Sequence, residues 1–304
     1  MLSKALAHYP QFRFKEGEKS LWNPILKKSF ADLPEERVRL ALVDYLMMEA
    51  EVSHSRISFE SPVKLIGDKS SSRTDLICYD KDFNPLLLAE CKAPEIKLDE
   101  KAAIQVARYN QKVGAPFVLV SNGMLDFWFE VGEKNIETRN EVPDRFHSKK
   151  EPERNLQYWE LRSFIGEQLN PKARKFAVTS CKTLYENPHQ PVKYLNFDDF
   201  SPELALKHYY RIFGLKENLR IALSLSANSY GGTRLNVVLN QAGANTAFCS
   251  VSLDLIAQEE PINAEIHSAK GTKEIDVVKE VGFTFQSDIT EMVQGICELL
   301  TKQS

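Results

Sequence analysis

The feature that most constrains this chain is an apolar segment, Leu86 to Lys92, that becomes charged only at its last residues. Its length and composition predict a buried β-strand. Side chains alternate along a strand, so Glu90 and Lys92 project from one face and Cys91 projects from the other. An acid and an ammonium group therefore share one site at the end of a core strand.

A second strand is predicted just before this one. Arg73 to Tyr79 alternates and is rich in β-forming residues, and Asp80 to Pro85 supplies turn residues. An antiparallel hairpin follows from this pattern, and it would bring Asp75 alongside Glu90. Two neighbouring carboxylates repel each other and favour a cation between them, and Mg²⁺ is a hard ion that prefers oxygen ligands.

The expected metal ligands are Asp75, Glu90 and the backbone carbonyl of Cys91, with Mn²⁺ as an alternative to Mg²⁺. A divalent ion here would lower the pKa of a bound water and neutralise charge that builds on a phosphodiester. Lys92 would orient that water or stabilise the transition state. The residue set therefore predicts hydrolysis of a phosphodiester bond.

Helical patterns lie on either side of this hairpin in the sequence. The segment Asp32 to Glu36 looks like a helix start that Asp32 is placed to cap, and a helix with an apolar stripe of 3.6-residue period follows to about Met48. Residues 99–113 form a second helical pattern that Gly114 ends. Asn122-Gly123 then predicts the turn of a further hairpin. The predicted order is helix, hairpin, helix, hairpin.

These residues resemble a known family. Asp75 followed by Glu90-x-Lys92 resembles the D…(D/E)xK signature of the PD-(D/E)XK nuclease superfamily. The segment RTDLICYDKDFNPLLLAECKAPEIKL looks like the N-terminal nuclease domain of type I restriction endonuclease R subunits. Gln105 and Tyr109 match the QxxxY element of the RecB-like branch, and their i, i+4 spacing puts both on one helical face. There they would touch DNA or brace the metal ligands.

The helix over residues 34–48 is similar to the one that supplies an additional acidic residue in this family. Glu36 is the candidate for that role. It shares a helical face with Leu40 and Val43 and should point inward, whereas Glu35 shares a face with Arg39.

The resemblance covers about residues 30–130 and implies a restriction-endonuclease-like core, in which helices flank a mixed β-sheet. It implies an endo- or exodeoxyribonuclease that depends on Mg²⁺, acting in the restriction of foreign DNA or in DNA repair. Thr74 stands where the superfamily signature has Pro, a variation that this branch tolerates. The chain has no GxxxxGK[ST] loop, so no nucleotide-driven motor is expected in it.

Two domains are expected, 1–150 and 151–304, because residues 131–155 are highly charged and contain two prolines. The second domain has strand patterns with Gly and Asn turns between them, at Leu219–Ala227, Arg234–Leu239, Thr246–Leu255 and Asn263–Ile266. Helices are expected at 157–170, 201–213 and 288–302. These elements predict a C-terminal α+β domain with an antiparallel meander, whose role the sequence does not indicate.

Composition limits the classes of partner. The chain of 304 residues is 43% hydrophobic and 27% charged, as expected for a soluble globular protein. It has no long apolar run and no paired cysteines, so a cytoplasmic location without membrane association is expected. The net charge of −3 means that any contact with nucleic acid must come from a local patch. The basic first 30 residues are one candidate, and a solvated arm without a ligand is the alternative.

DNA is the expected substrate, and a protein partner or a homodimer stays open. Two alternatives to the deoxyribonuclease remain. The nuclease fold could serve as a DNA-binding or assembly subunit without activity of its own, or the substrate could be RNA, since the metal chemistry is indifferent to the sugar.

Overall fold

The structure is a computed structural model that describes residues 1–63, 72–133, 135–147, 152–190, 192–197 and 206–303. The chain divides into two compact units, Met1–Glu153 and Arg154–Ser304. Within the described residues, no helix has the length and apolar character needed to cross a bilayer.

The first unit combines strands with two α-helices. Its described strands are β1 (Gln11–Lys15), β2 (Glu18–Asn23), β3 (Lys28–Phe30), β4 (Ile57–Phe59), β5 (Pro62–Val63), β6 (Ser72–Arg73), β7 (Leu76–Tyr79), β8 (Pro85–Cys91), β9 (Phe117–Ser121), β10 (Asp126–Val131) and β11 (Ile136–Arg139). The helices are α1 (Pro34–Met48) and α2 (Glu100–Val113). Single 3₁₀ turns lie at Lys4–Ala7, His54–Arg56 and Asp144–Phe146.

The main sheet of the first unit has six strands in the order β11-β10-β9-β8-β7-β4. The pair β8 and β9 is parallel, and the other pairs are antiparallel. A parallel pair needs a crossover connection, and α2 provides it. The result is a mixed sheet with flanking helices, which confirms the restriction-endonuclease-like α/β core that was predicted. Strands β1 to β3 form a small separate antiparallel sheet that the sequence patterns did not indicate.

One face of the main sheet packs against α2. Ala102 and Val106 of the helix meet Leu88, Val118 and Val120 of the two central strands in a buried cluster. Burial of this kind contributes about 1.5–3 kcal/mol for each large side chain. The cluster fixes the helix directly over the end of β8, where the charged residues lie.

Helix α1 ends at Met48 as predicted, but it begins at Pro34, one residue later than a cap at Asp32 implies. The N-cap is Leu33, and no side chain caps the helix. Asp32, predicted to cap it, instead accepts a hydrogen bond of 2.6 Å from Arg37 Nη1. The capping prediction is therefore wrong, because the Arg37 side chain engages this carboxylate.

The predicted hairpin of β7 and β8 is confirmed. The Asp80 carboxylate accepts hydrogen bonds from the backbone N–H groups of Asp82 and Asn84, which closes the turn. In the register of the pair, Leu76 lies opposite Ala89. Asp75 and Glu90 are one step further along the two strands, so the hairpin places them side by side.

The second unit is built on a seven-stranded sheet. Its described strands are β12 (Val192–Leu195), β13 (His208–Lys216), β14 (Leu219–Ala227), β15 (Thr233–Gln241), β16 (Ala244–Ser252), β17 (Ala264–Ser268) and β18 (Gly271–Ile275). Its described helices are α3 (Leu156–Leu161), α4 (Pro171–Tyr185), α5 (Leu253–Ala257), α6 (Val277–Val281) and α7 (Ile289–Gln303). Each strand pairs antiparallel with the next one in the chain, which confirms the predicted α+β domain with a meander.

Three local predictions in the second unit are wrong. The helix expected at 157–170 covers only Leu156–Leu161, and α4, which was not predicted, begins at Pro171. Residues 208–213, predicted as helix, form part of β13 and pair with β12 and β14; residues 201–205 of that prediction lie outside the described residues. Tyr210, fully buried here, illustrates how sheet packing overrides local helical pattern. The strand predicted to continue to Leu255 ends at Ser252, which caps α5 by accepting from the backbone N–H of Leu255.

Replacing Leu88 tests the core under α2. Leu88→Ala removes a side chain with 0% exposure and leaves a cavity in the central strand. We expect a loss of about 2–5 kcal/mol in the free energy of unfolding, measured by urea denaturation followed by tryptophan fluorescence. Leu125→Ala is the matched control, since Leu125 is 42% exposed and its loss should cost well under about 1 kcal/mol. Equal losses in the two variants would contradict the packing described.

Candidate functional site

The carboxylate of Asp75 is held by two donors. Its Oδ2 accepts a hydrogen bond of 2.6 Å from the backbone N–H of Cys91. Its Oδ1 accepts one of 2.6 Å from Arg39 Nη2 on helix α1. The first bond ties Asp75 to the end of β8, and the second ties it to the helix. The position of this carboxylate is therefore fixed by backbone and side chain together.

The carboxylate of Glu90 is held by a different pair of side chains. Its Oε1 accepts hydrogen bonds from Lys92 Nζ at 2.9 Å and from Gln105 Nε2 at 2.8 Å. Tyr109 Oη lies 3.4 Å from the same amide nitrogen, so the QxxxY pair reaches Glu90 through Gln105. Glu90 and Lys92 share a face, as strand alternation predicts, and the Cys91 side chain is fully buried.

The proximity of Asp75 affects the pKa of Glu90. Burial and the neighbouring charge of Asp75 raise the pKa of Glu90 from its ordinary value of 4.5 to about 7, although Lys92 opposes the shift. For Lys92, burial lowers the pKa, but the hydrogen bond and charge of Glu90 outweigh it and the pKa is raised overall. Lys92 is therefore a charged ammonium group at neutral pH.

Glu36 is buried, as its helical face predicted, and 8% exposed. Its Oε2 accepts a hydrogen bond of 2.9 Å from Arg39 Nη1. Burial raises the pKa of Glu36, with Arg39 opposing and the charges of Glu60 and Asp75 adding to the rise. Glu35, the other acid of this turn, is also near the site, because its charge contributes to the raised pKa of Glu90 and of Lys92.

Sequence reasoning missed two residues of this site, Arg39 and Glu60. Arg39 is 8% exposed and contacts Asp75, Glu36 and, at 3.4 Å, Glu60 Oε1. Its i, i+3 spacing from Glu36 on α1 was a signal that could have identified it. Glu60 follows β4, 15 residues before Asp75, and no pattern in the sequence singles it out.

The donor set fits a hard divalent cation. All the candidate ligand atoms are oxygens, and Asp75 and Glu90 lie close enough to repel each other. In addition, Glu36 Oε1 is a buried carboxylate oxygen without a hydrogen-bond partner. Among the described residues, no group of three His, Cys, Asp or Glu side chains is arranged to hold a metal ion. Asp75, Glu90 and the Cys91 carbonyl would therefore have to share the ion with water.

Comparison with known families identifies the segment that carries this site. Residues 34–143 match the type I restriction enzyme R protein N terminus. The match confirms the resemblance proposed from the motifs, and the R protein N-terminal family is nuclease-related. The matched residues run from the start of α1 past the end of β11, so they include all the residues named above. No curated protein matches the chain closely enough to be named as a relative.

The raised pKa of Glu90 predicts how the stability of the R-protein-like segment depends on pH. A carboxyl with a higher pKa when folded binds its proton more tightly in the folded state, so it stabilises the fold at low pH. For Glu90 this contribution is complete below about 4.5 and is lost as the pH rises through about 7. In EDTA, the urea midpoint of wild type should therefore fall over this window relative to Glu90→Gln.

The matched control for that measurement is Glu95→Gln, because Glu95 is exposed and lies only five positions further along the chain. Its urea midpoint should follow the wild-type pH profile. Parallel profiles for wild type and Glu90→Gln would show that the Glu90 carboxyl does not titrate in this window.

Proposed function

We propose that this protein is a deoxyribonuclease that depends on Mg²⁺, or on Mn²⁺ in its place, and that it hydrolyses phosphodiester bonds at the site of Asp75, Glu90 and Lys92. The observation that carries the proposal is the convergence of these three side chains, with Gln105 behind them, inside the segment that matches the R protein N terminus. Restriction of foreign DNA or DNA repair is the corresponding process.

In this proposal Asp75, Glu90 and the Cys91 carbonyl hold the ion. When bound, the ion supplies Lewis acidity to a water and to the scissile phosphate. The hydrogen bonds from the Cys91 N–H and from Arg39 orient Asp75, and each oxygen of its carboxylate has one further lone pair for an ion. Removing either acid should therefore abolish the binding of the ion as well as cleavage.

Lys92 acts as a fixed positive charge. Because the hydrogen bond and charge of Glu90 raise the pKa of Lys92, we assign its side chain the role of a charged group and not that of the base that accepts a proton from water. Its ammonium group instead stabilises the negative charge that builds on the phosphate oxygens, with Glu90 holding it in place at 2.9 Å. Removing it should therefore reduce the rate more than it reduces the binding of DNA.

Gln105 and Tyr109 support this arrangement. The bond from Gln105 to Glu90 braces the candidate metal ligand, and Tyr109 lies beside Gln105 on the same helical face. Glu36 is proposed as the additional acidic residue, acting next to Asp75 through Arg39. The proposed substrate is DNA, which we expect to approach from the side on which Lys92 is partly exposed.

A cleavage assay tests the proposed activity. Purified protein is incubated with Mg²⁺ and linear, circular, branched and single-stranded DNA, with RNA as a parallel substrate. Lys92→Ala should reduce the cleavage rate by about a hundredfold or more, since it removes charge stabilisation at the reacting phosphate. Asp75→Asn should reduce it at least as much, since it removes a ligand of the ion. Lys97→Ala, which removes an exposed lysine nearby, should cleave at the wild-type rate.

The outcomes of this assay separate the alternatives. No cleavage of any nucleic acid contradicts the proposed activity, and cleavage of RNA alone contradicts the proposed substrate. Full activity in Lys92→Ala would place the reaction elsewhere in the protein.

A second candidate function is a DNA-binding or assembly subunit that keeps the fold without catalysis. Both Asp75 oxygens accept hydrogen bonds from protein donors, and each donor occupies a lone pair that an ion would otherwise use. This arrangement favours the second function. Titration calorimetry with Mn²⁺ discriminates between the two functions. Binding that Asp75→Asn abolishes supports the nuclease, whereas DNA binding without any uptake of metal supports the assembly subunit.

A further inference from the structure

The Arg39 guanidinium lies among three carboxylates. It contacts Asp75 Oδ1 at 2.6 Å, Glu36 Oε2 at 2.9 Å and Glu60 Oε1 at 3.4 Å. The arginine side chain is 10% exposed, as is that of Glu36, and that of Asp75 is 13% exposed. Glu60 is more open, at 38% exposed, and its Oε2 also meets Arg73 Nη1 at 3.4 Å. The two enclosed acids, Asp75 and Glu36, need positive charge beside them, and within the described residues Arg39 is the cation that contacts all three acids.

Two details describe the carboxylates around Arg39. Glu36 Oε1 is buried without a hydrogen-bond partner, so the carboxylate has capacity beyond its bond to Arg39. Glu60 has a φ of +47°, a backbone conformation that residues with a side chain rarely adopt. That conformation occurs at the residue whose carboxylate meets Arg39 from the end of β4. The cluster is therefore assembled from separate parts of the chain around one positive charge.

Asp75 belongs to two neighbouring positions for a cation. On one side lies Glu90, with which it forms the proposed metal centre. On the other side lie Glu36 and Glu60, with Arg39 between them and Asp75. Nucleases with two ions place the second ion about 3.5–4 Å from the first, bridged by a shared carboxylate. In this protein Asp75 would be the shared carboxylate, and its Oδ1 meets a guanidinium group.

We propose that Arg39 is a resident cation that takes the place of a second divalent ion, so that the centre binds one divalent ion and not two. The inference rests on the metal centre of the proposed function and deepens it. Arg39 is a positioning residue here: it holds Asp75 and Glu36 and does not touch the reacting atoms. Its charge is permanent, because a guanidinium group does not lose its proton in proteins.

The inference predicts the number of ions bound by each variant. Mn²⁺ is titrated into the full-length protein, and free Mn²⁺ is followed by electron paramagnetic resonance. Wild type should bind one ion. Arg39→Met should bind two, because Asp75 and Glu36 then lose the cation that they share and Glu60 keeps only its contact with Arg73. Arg39→Lys should bind one, because the charge is kept. The double variant Arg39→Met with Glu60→Gln should return to one ion, since the second position loses a ligand.

A matched control comes from the same helix. Arg37→Met also removes an arginine of α1, but Arg37 pairs with Asp32, outside the cluster. It should bind one ion with the affinity of wild type. A second ion in Arg37→Met would show that loss of any positive charge recruits Mn²⁺, which contradicts a specific role for Arg39.

The remaining outcomes are also decisive. Two ions in wild type, or one ion in a folded Arg39→Met, overturn the inference and leave the proposed nuclease intact. Wild type that binds no Mn²⁺ contradicts the metal centre itself, and the inference with it. Should Arg39→Met fail to fold, Glu60→Gln decides: its affinity for the first ion should stay within about twofold of wild type, and a loss of tenfold or more, about 1.4 kcal/mol, would make Glu60 a ligand of that ion and overturn the inference.

Discussion

Repulsion between Asp75 and Glu90 is the interaction on which the arrangement of this site depends. The β7–β8 hairpin brings the two carboxylates together at the ends of two interior strands, where water screens their charges poorly. Every neighbouring contact offsets part of that repulsion. Arg39 and the Cys91 N–H hold one acid, and Lys92 and Gln105 hold the other. Helix α2, which carries Gln105, is held by its apolar packing on the sheet, and this packing brings the donor to Glu90.

Much of the first unit could be predicted from local patterns. Strand β9 and helix α2 have strong signals of their own: an apolar β-rich run in one case, and a capping Asp99 with a left-handed Gly114 in the other. Elements whose identity depends on distant partners could not be predicted in this way. Residues 208–213 lie in β13 and not in the predicted helix, because pairing with β12 and β14 on both sides decides their conformation.

The same distinction applies to the site. Asp75, Glu90, Lys92, Gln105 and Tyr109 could be found because they are close in sequence and their spacing matches strand and helix periods. Glu60 could not be found, because only the folded chain brings it to Arg39. Arg39 is an intermediate case: its spacing from Glu36 was visible, but the pairing with Asp75 is a tertiary contact.

The compactness of the site along the chain has a consequence for how it forms. The hydrogen-bond donors to Glu90 lie between β8 and the middle of α2, so the loops that must close to assemble them are short. Short loops carry a small entropic cost of closure, and contacts of this kind tend to form early in folding. Asp75 is joined to Arg39 over a much longer loop, at a sequence separation of 36. The Glu90 half of the site can therefore assemble as the hairpin and α2 form, whereas the Arg39 half must wait until α1 has docked.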